Sequence, residues 1–108
     1  MLRLAPRIAP IKLAIFPLVR RDGMPELAGE IYRGLGRRWN AFFDDGGSIG
    51  RRYRRQDEAG TPFCVTVDGE SVTERTVTVR DRDSMEQVRV GVDRLEEWLA
   101  ERLQGRKG

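Results

Sequence analysis

Residues Ser48 to Glu58, SIGRRYRRQDE, place four arginines, a tyrosine and an acidic end in one short stretch. Guanidinium groups at this density, on Arg51, Arg52, Arg54 and Arg55, suit two-pronged hydrogen bonding to phosphates or base edges. Gly46, Gly47 and Gly50 allow close approach of backbone. If Ser48 caps a helix, its first turn adds N–H donors with partial positive charge. Such a segment would cradle a polyanion. On a helix, however, Arg51 and Arg55 share a face while Arg52 is offset by about 100°, so the four cannot all point one way. One pair should line a surface, and the others should brace acidic neighbours or lie in solvent. Charge alone does not separate an anion cradle from a solvated basic face. Tyr53 could pack internally or stack on an unpaired base, whereas Asp57 and Glu58 suit the role of braces for arginines.

Composition narrows the chemistry. The chain has 108 residues, of which 39% are hydrophobic and 34% charged, enough apolar material for one core and too much for a disordered tail. Net charge is +3, and of the 20 basic residues only Lys12 and Lys107 are lysine. An arginine excess favours phosphate and base contacts, and it also follows from GC-rich coding. Histidine is absent, which removes the usual general base near neutral pH and the commonest metal ligand. The single Cys64, inside the apolar run PFCVTV, can form no intrachain disulfide and no zinc or redox motif, and is expected to be an inert buried thiol. The longest apolar run, Leu13–Val19, is well short of the roughly 20 residues that span a membrane, and no signal-peptide pattern opens the chain. A cytoplasmic location without a membrane partner is the expectation.

The elements that must position these residues follow from periodicity. Residues 1–10, MLRLAPRIAP, have two prolines and no period, and are expected to be an entry segment; the domain proper should run over 11–104, with 105–108 a frayed tail. Ile11–Phe16 is a continuous apolar run, the pattern of a strand buried on both faces, ended by Pro17. Pro25 suits the first turn of a helix with Leu27, Ile31 and Leu35 as its stripe. Ala41–Phe43 is a second strand. Ser48 caps a helix to Glu58, Gly60-Thr61-Pro62 stops it, and Phe63–Val67 is a third strand. These three strands should be parallel. Val77 and Val79 alternate with Thr76, Thr78, Arg80 and Arg82, as Val88, Val90 and Val92 do with Gln87 and Arg89, giving an antiparallel hairpin. Asp93 can cap a final helix with stripe Leu95, Leu99 and Leu103. Phe16, Phe42, Phe43 and Phe63 should be core. The expected fold class is α/β: a mixed five-stranded sheet, first three strands parallel and last two antiparallel, packed with about three helices. Ligands in open α/β sheets sit beyond the carboxyl ends of the parallel strands, here Pro17–Gly23, Asp44–Arg52 and Asp68.

Three long segments resemble one family in order and spacing: APIKLAIFPLV at 9–19, GSIGRRYRRQDEAGTPFCVTVD at 47–68 and TVTVRDRDSMEQVRV at 76–90. Together they are similar to the C-terminal anticodon-binding domain of glycyl-tRNA synthetases, class II enzymes. The resemblance implies a module that grips the anticodon loop of glycine tRNA, joined to a catalytic domain not in this chain. Cofactors of this chain would then be none, with ATP consumed by that catalytic portion, and the parent enzyme would be a homodimer. It further implies Arg51 as the leading anticodon contact, followed by Thr66, Arg80 and Arg82, with Arg52 and Tyr53 beside them. Arg80 and Arg82, two apart, should share the wet strand face with Thr76 and Thr78.

Two other function classes compete. A stand-alone accessory or interaction protein on the same fold would use this surface for protein or duplex contact. A small nucleotide-binding enzyme is supported only by the parallel opening, without a Walker-type loop or GxGxxG turn.

Overall fold

The computed structural model describes residues 11–104; the entry segment expected at 1–10 and the tail expected at 105–108 lie outside them. The elements in chain order are β1 (Leu13–Pro17), α1 (Met24–Leu35), β2 (Ala41–Phe43), α2 (Ile49–Ala59), β3 (Phe63–Val67), α3 (Gly69–Glu74), β4 (Thr76–Asp81), β5 (Gln87–Gly91) and α4 (Val92–Gln104). The strands form one sheet in the order β2-β1-β3-β4-β5. β1 pairs in parallel with β2 and β3, while β3–β4 and β4–β5 are antiparallel.

The period of two divides the sheet into unlike faces. Leu13, Ile15, Phe63, Val65, Val67, Val77, Val79 and Val90 point to one side. There they pack against Leu27, Ile31 and Leu35 of α1 and Leu95 and Leu99 of α4, the two stripes that periodicity predicts. Full burial of each such side chain contributes about 1.5–3 kcal/mol. On the other side Ala14, Phe16 and Cys64 lie under Ile49 and Tyr53 of α2. Burial pushes the Cys64 thiol up to about 12, against a weaker opposing pull from Arg80, so it is un-ionised at neutral pH.

Four helices, not three, pack on this sheet. The extra one, α3, is six residues of mostly polar sequence and offers no stripe to read. It is fixed at its start by a capping box between Asp68 and Ser71, and at its end by Arg75 in the left-handed region. That turn at Arg75 also corrects the start of α4. The β4–β5 ladder stops at Thr76↔Gly91, so Val92, expected to continue the strand, instead opens the helix and donates its N–H to Arg75 O. Asp93 therefore sits inside the first turn rather than at the cap. Phe42 is the other exception, at 40% exposed. It lies on the edge strand β2 beside Ala14, on the side of the sheet that α2 only partly covers. Among the described residues no helix is long and apolar enough to cross a membrane.

Candidate functional site

The start of α2 is built at the carboxyl ends of β1 and β2. Gly47, at φ 74, takes the left-handed turn that a Cβ would strain, and Ser48 Oγ then accepts Arg51 N–H as the cap. Three arginines tie the neighbouring loops to this turn. Arg20 donates twice to Asp45 O. Arg55 grips the carboxylate of Asp44, which is 6% exposed, and also reaches Gly46 O. Arg52, 4% exposed, donates to Pro17 O and Gly47 O. Arg51 and Arg54 lie outside this lattice. Both are exposed, three residues apart on the outward face of α2, and among the described residues neither side chain has a hydrogen bond or ion pair.

The underside of α2 meets the sheet through polar groups. Tyr53 stands edge-on to Phe16, with ring centroids 5.3 Å apart, and its hydroxyl shares a 2.6 Å hydrogen bond with Thr66 Oγ1. Burial raises the Tyr53 pKa against the opposing effect of that bond. The Arg80 guanidinium lies over the Tyr53 ring at 5.1 Å and donates to both carboxylate oxygens of Asp57. Its hydrogen bonds to Asp57 raise the Arg80 pKa further, against the cost of burial. Arg82 lies one residue past the end of β4 and donates to Asp57 O.

Beyond α2 the same side of the sheet is open, and a second polar assembly occupies it. Arg89, opposite Thr78 in the β4–β5 register, donates from Nε to Thr76 Oγ1, and from one terminal nitrogen to Thr78 Oγ1 and Asp68 Oδ2. The other terminal nitrogen donates to Asp68 Oδ1 and, at 3.5 Å, to Ser71 Oγ. Hydrogen bonding from Arg89 holds the Asp68 carboxyl well below the usual carboxylate range, against the smaller opposing effect of burial.

The six residues expected to contact a ligand are thus not one cluster. Tyr53, Thr66 and Arg80 are joined in a single packed network, Arg52 is buried apart from it, and Arg51 faces solvent. Arg82 is at the opposite end of α2, near Asp57, six residues or about 9 Å along the axis from Arg51. The expected common wet face of Arg80 and Arg82 is corrected: Arg80 is 9% exposed beneath α2, because Asp57 and Tyr53 descend onto it, and Arg82 has left the strand. Its ion pair is with Asp83 at 3.6 Å. Asp57 is the brace expected of it. Arg54, which the sequence offered only as one of four clustered guanidiniums, stands with Arg51 on the exposed face, and Arg89, given no role beyond its strand alternation, joins Asp68 at the ligand edge. For Arg54 the signal was its i, i+3 spacing from Arg51. For Arg89 it was the alternation that sets it on the polar side with Thr76 and Thr78. Among the described residues no group of three or more Cys, Asp or Glu side chains could hold a metal ion.

Comparisons with known proteins bear on this geometry. A family model described as "Anticodon binding domain" matches residues 12–102. A glycine-tRNA ligase of Rhodopirellula baltica is 63% identical over 92 residues, covering 85% of this chain and 17% of that protein. That of Thermobifida fusca is 54% identical over 104 residues, 96% of this chain and 22% of that protein. The chain therefore spans about a fifth of the length of these curated relatives. In fold it matches a prolyl-tRNA synthetase structure from Cryptosporidium parvum with a TM-score of 0.82 at 23% identity, over 92% of this chain and 22% of that one.

Proposed function

Since this chain belongs to the anticodon-binding domain family, we propose that it is the anticodon-gripping portion of a glycine-tRNA ligase and binds the anticodon loop of glycine tRNA. The chain supplies affinity and specificity. ATP-dependent attachment of glycine belongs to a catalytic domain elsewhere in the parent enzyme, a cytoplasmic homodimer whose subunit contacts lie mainly on that portion.

The observation that carries this proposal is the outward pair Arg51 and Arg54, exposed and without partners among the described residues, in a chain whose other α2 arginines are committed internally. Two free guanidiniums on adjacent turns, above a helix start, are placed to meet consecutive phosphates or a base edge of a single-stranded loop. Thr66, Tyr53 and Arg80 then act as the floor that fixes α2. Arg82, with a 42% exposed side chain, is available at the far end of the same helix.

Binding of glycine tRNA and of a tRNA with an unrelated anticodon should be measured across a salt series. Glycine tRNA is expected to bind more tightly. Arg51→Ala and Arg54→Ala should each weaken binding and reduce the slope of log affinity against log salt by about 1. Equal affinity for both tRNAs would sink the anticodon assignment.

A further inference from the structure

Arg89 is an unusual cation for a surface that meets RNA, because it has nothing left to donate. A guanidinium carries five N–H groups, and here there are five acceptor contacts: Thr76 Oγ1, Thr78 Oγ1, Asp68 Oδ1, Asp68 Oδ2 and Ser71 Oγ, the last at 3.5 Å. Its charge is also balanced by the Asp68 carboxylate at 2.8 Å. A phosphate would have to displace one of these acceptors to gain a hydrogen bond, and would meet the carboxylates of Asp68 and, at 3.9 Å from Nε, Glu70. Yet 31% of the side chain remains exposed, on the part of the sheet that α2 leaves open. What a saturated guanidinium still offers is its flat face, and that face stacks on nucleobases.

We infer that Arg89 is a stacking platform for one unpaired base of the bound loop, its plane held by Asp68, Thr76 and Thr78, which act as positioning residues. The inference rests on the RNA-binding role proposed above. It assigns the open half of the sheet a task distinct from that of Arg51 and Arg54: they meet the backbone or base edges, and Arg89 covers the face of a base. Its ligand class is thus a splayed nucleobase in single-stranded RNA, and the contact tolerates any base because every base has a π-face.

The test uses the full 108-residue chain and a stem-loop RNA with a glycine anticodon, plus a set of the same stem-loop in which each loop nucleotide in turn is made abasic. Arg89→Lys keeps the charge and loses the plane. It is expected to bind the intact loop about tenfold more weakly with an unchanged salt slope. At one abasic position the wild-type chain should lose the same factor, and the variant should lose nothing more. Undiminished binding by Arg89→Lys, or a loss that is the same on every abasic loop, overturns the inference while leaving the RNA-binding role standing. Failure of the wild-type chain to bind the intact loop overturns both. A second measurement needs no variant: in the wild-type chain the Arg89 Nε–H proton resonance should move upfield when the intact loop is added, and not when the coupled abasic loop is added. A resonance unmoved by saturating intact loop also overturns it.

Discussion

The two sides of the sheet are held by different physics. Beneath α1 and α4 the contact is apolar throughout, with Leu13, Ile15, Phe63, Val65, Val67, Val77 and Leu99 all fully buried. Beneath α2 the buried apolar groups among the described residues are Ala14, Phe16 and Cys64, and the helix is fastened by Arg52, Tyr53 and Asp57 through hydrogen bonds. Hydrophobic burial is non-directional and scales with area, so the first side fixes the fold. Hydrogen bonds exchange protein partners for water at a net gain of only about 1 kcal/mol each, so the second side contributes less stability but sets orientation.

Substitutions can break or sharpen that contrast. The largest effect is expected from Leu99→Ala, which empties a fully buried site and should lower stability by about 2–5 kcal/mol, read as a fall in urea midpoint with an unchanged slope. Next is Arg80→Ala, which leaves Asp57 without its partner and uncovers the Tyr53 ring. About 2 kcal/mol is expected by the same denaturation. If Arg80→Ala cost more than Leu99→Ala, the division into a stabilising side and an orienting side would fail.

Asp68→Asn keeps a capping side chain at the start of α3 and removes the charge that faces Arg89. Because the folded carboxyl is held below its unfolded value, its contribution is fully present above about pH 4 and is lost as pH falls toward the folded value. Stability curves of the two proteins, separated by about 1 kcal/mol at neutral pH, should therefore converge in acid. A gap independent of pH would mean that capping or packing, not the ion pair, is the cause. The smallest effect on stability belongs to Arg51→Ala and Arg54→Ala, each expected within about 0.5 kcal/mol of wild type in thermal melts. A larger loss would show that these side chains brace the fold.

Much of the fold was legible in local pattern. The runs Ile11–Phe16 and Phe63–Val67 read as strands, and the structure has β1 at Leu13–Pro17 and β3 at Phe63–Val67, every residue buried; Ser48 and Gly60 mark the ends of α2 because a hydroxyl cap and a left-handed residue are what those ends require. Elements without a pattern escaped. α3 is held by one Asp–Ser exchange, and the start of α4 depends on where Arg75 turns the chain.

Sequence by itself determined that this chain is a basic, histidine-free α/β domain whose arginines gather around residues 48–58, since residue type and period are properties of neighbours along the chain. Only the tertiary structure decided which of those arginines are free. The partners that consume the others lie elsewhere in the chain: Arg52 meets a carbonyl 35 residues away and Arg55 an aspartate 11 away, just as, outside that stretch, Arg80 meets an aspartate 23 away and Arg89 one 21 away. A guanidinium has the same charge wherever it stands, so its role is set by the acceptors that folding brings to it. Arg51 and Arg54 point outward, where folding brings them none among the described residues.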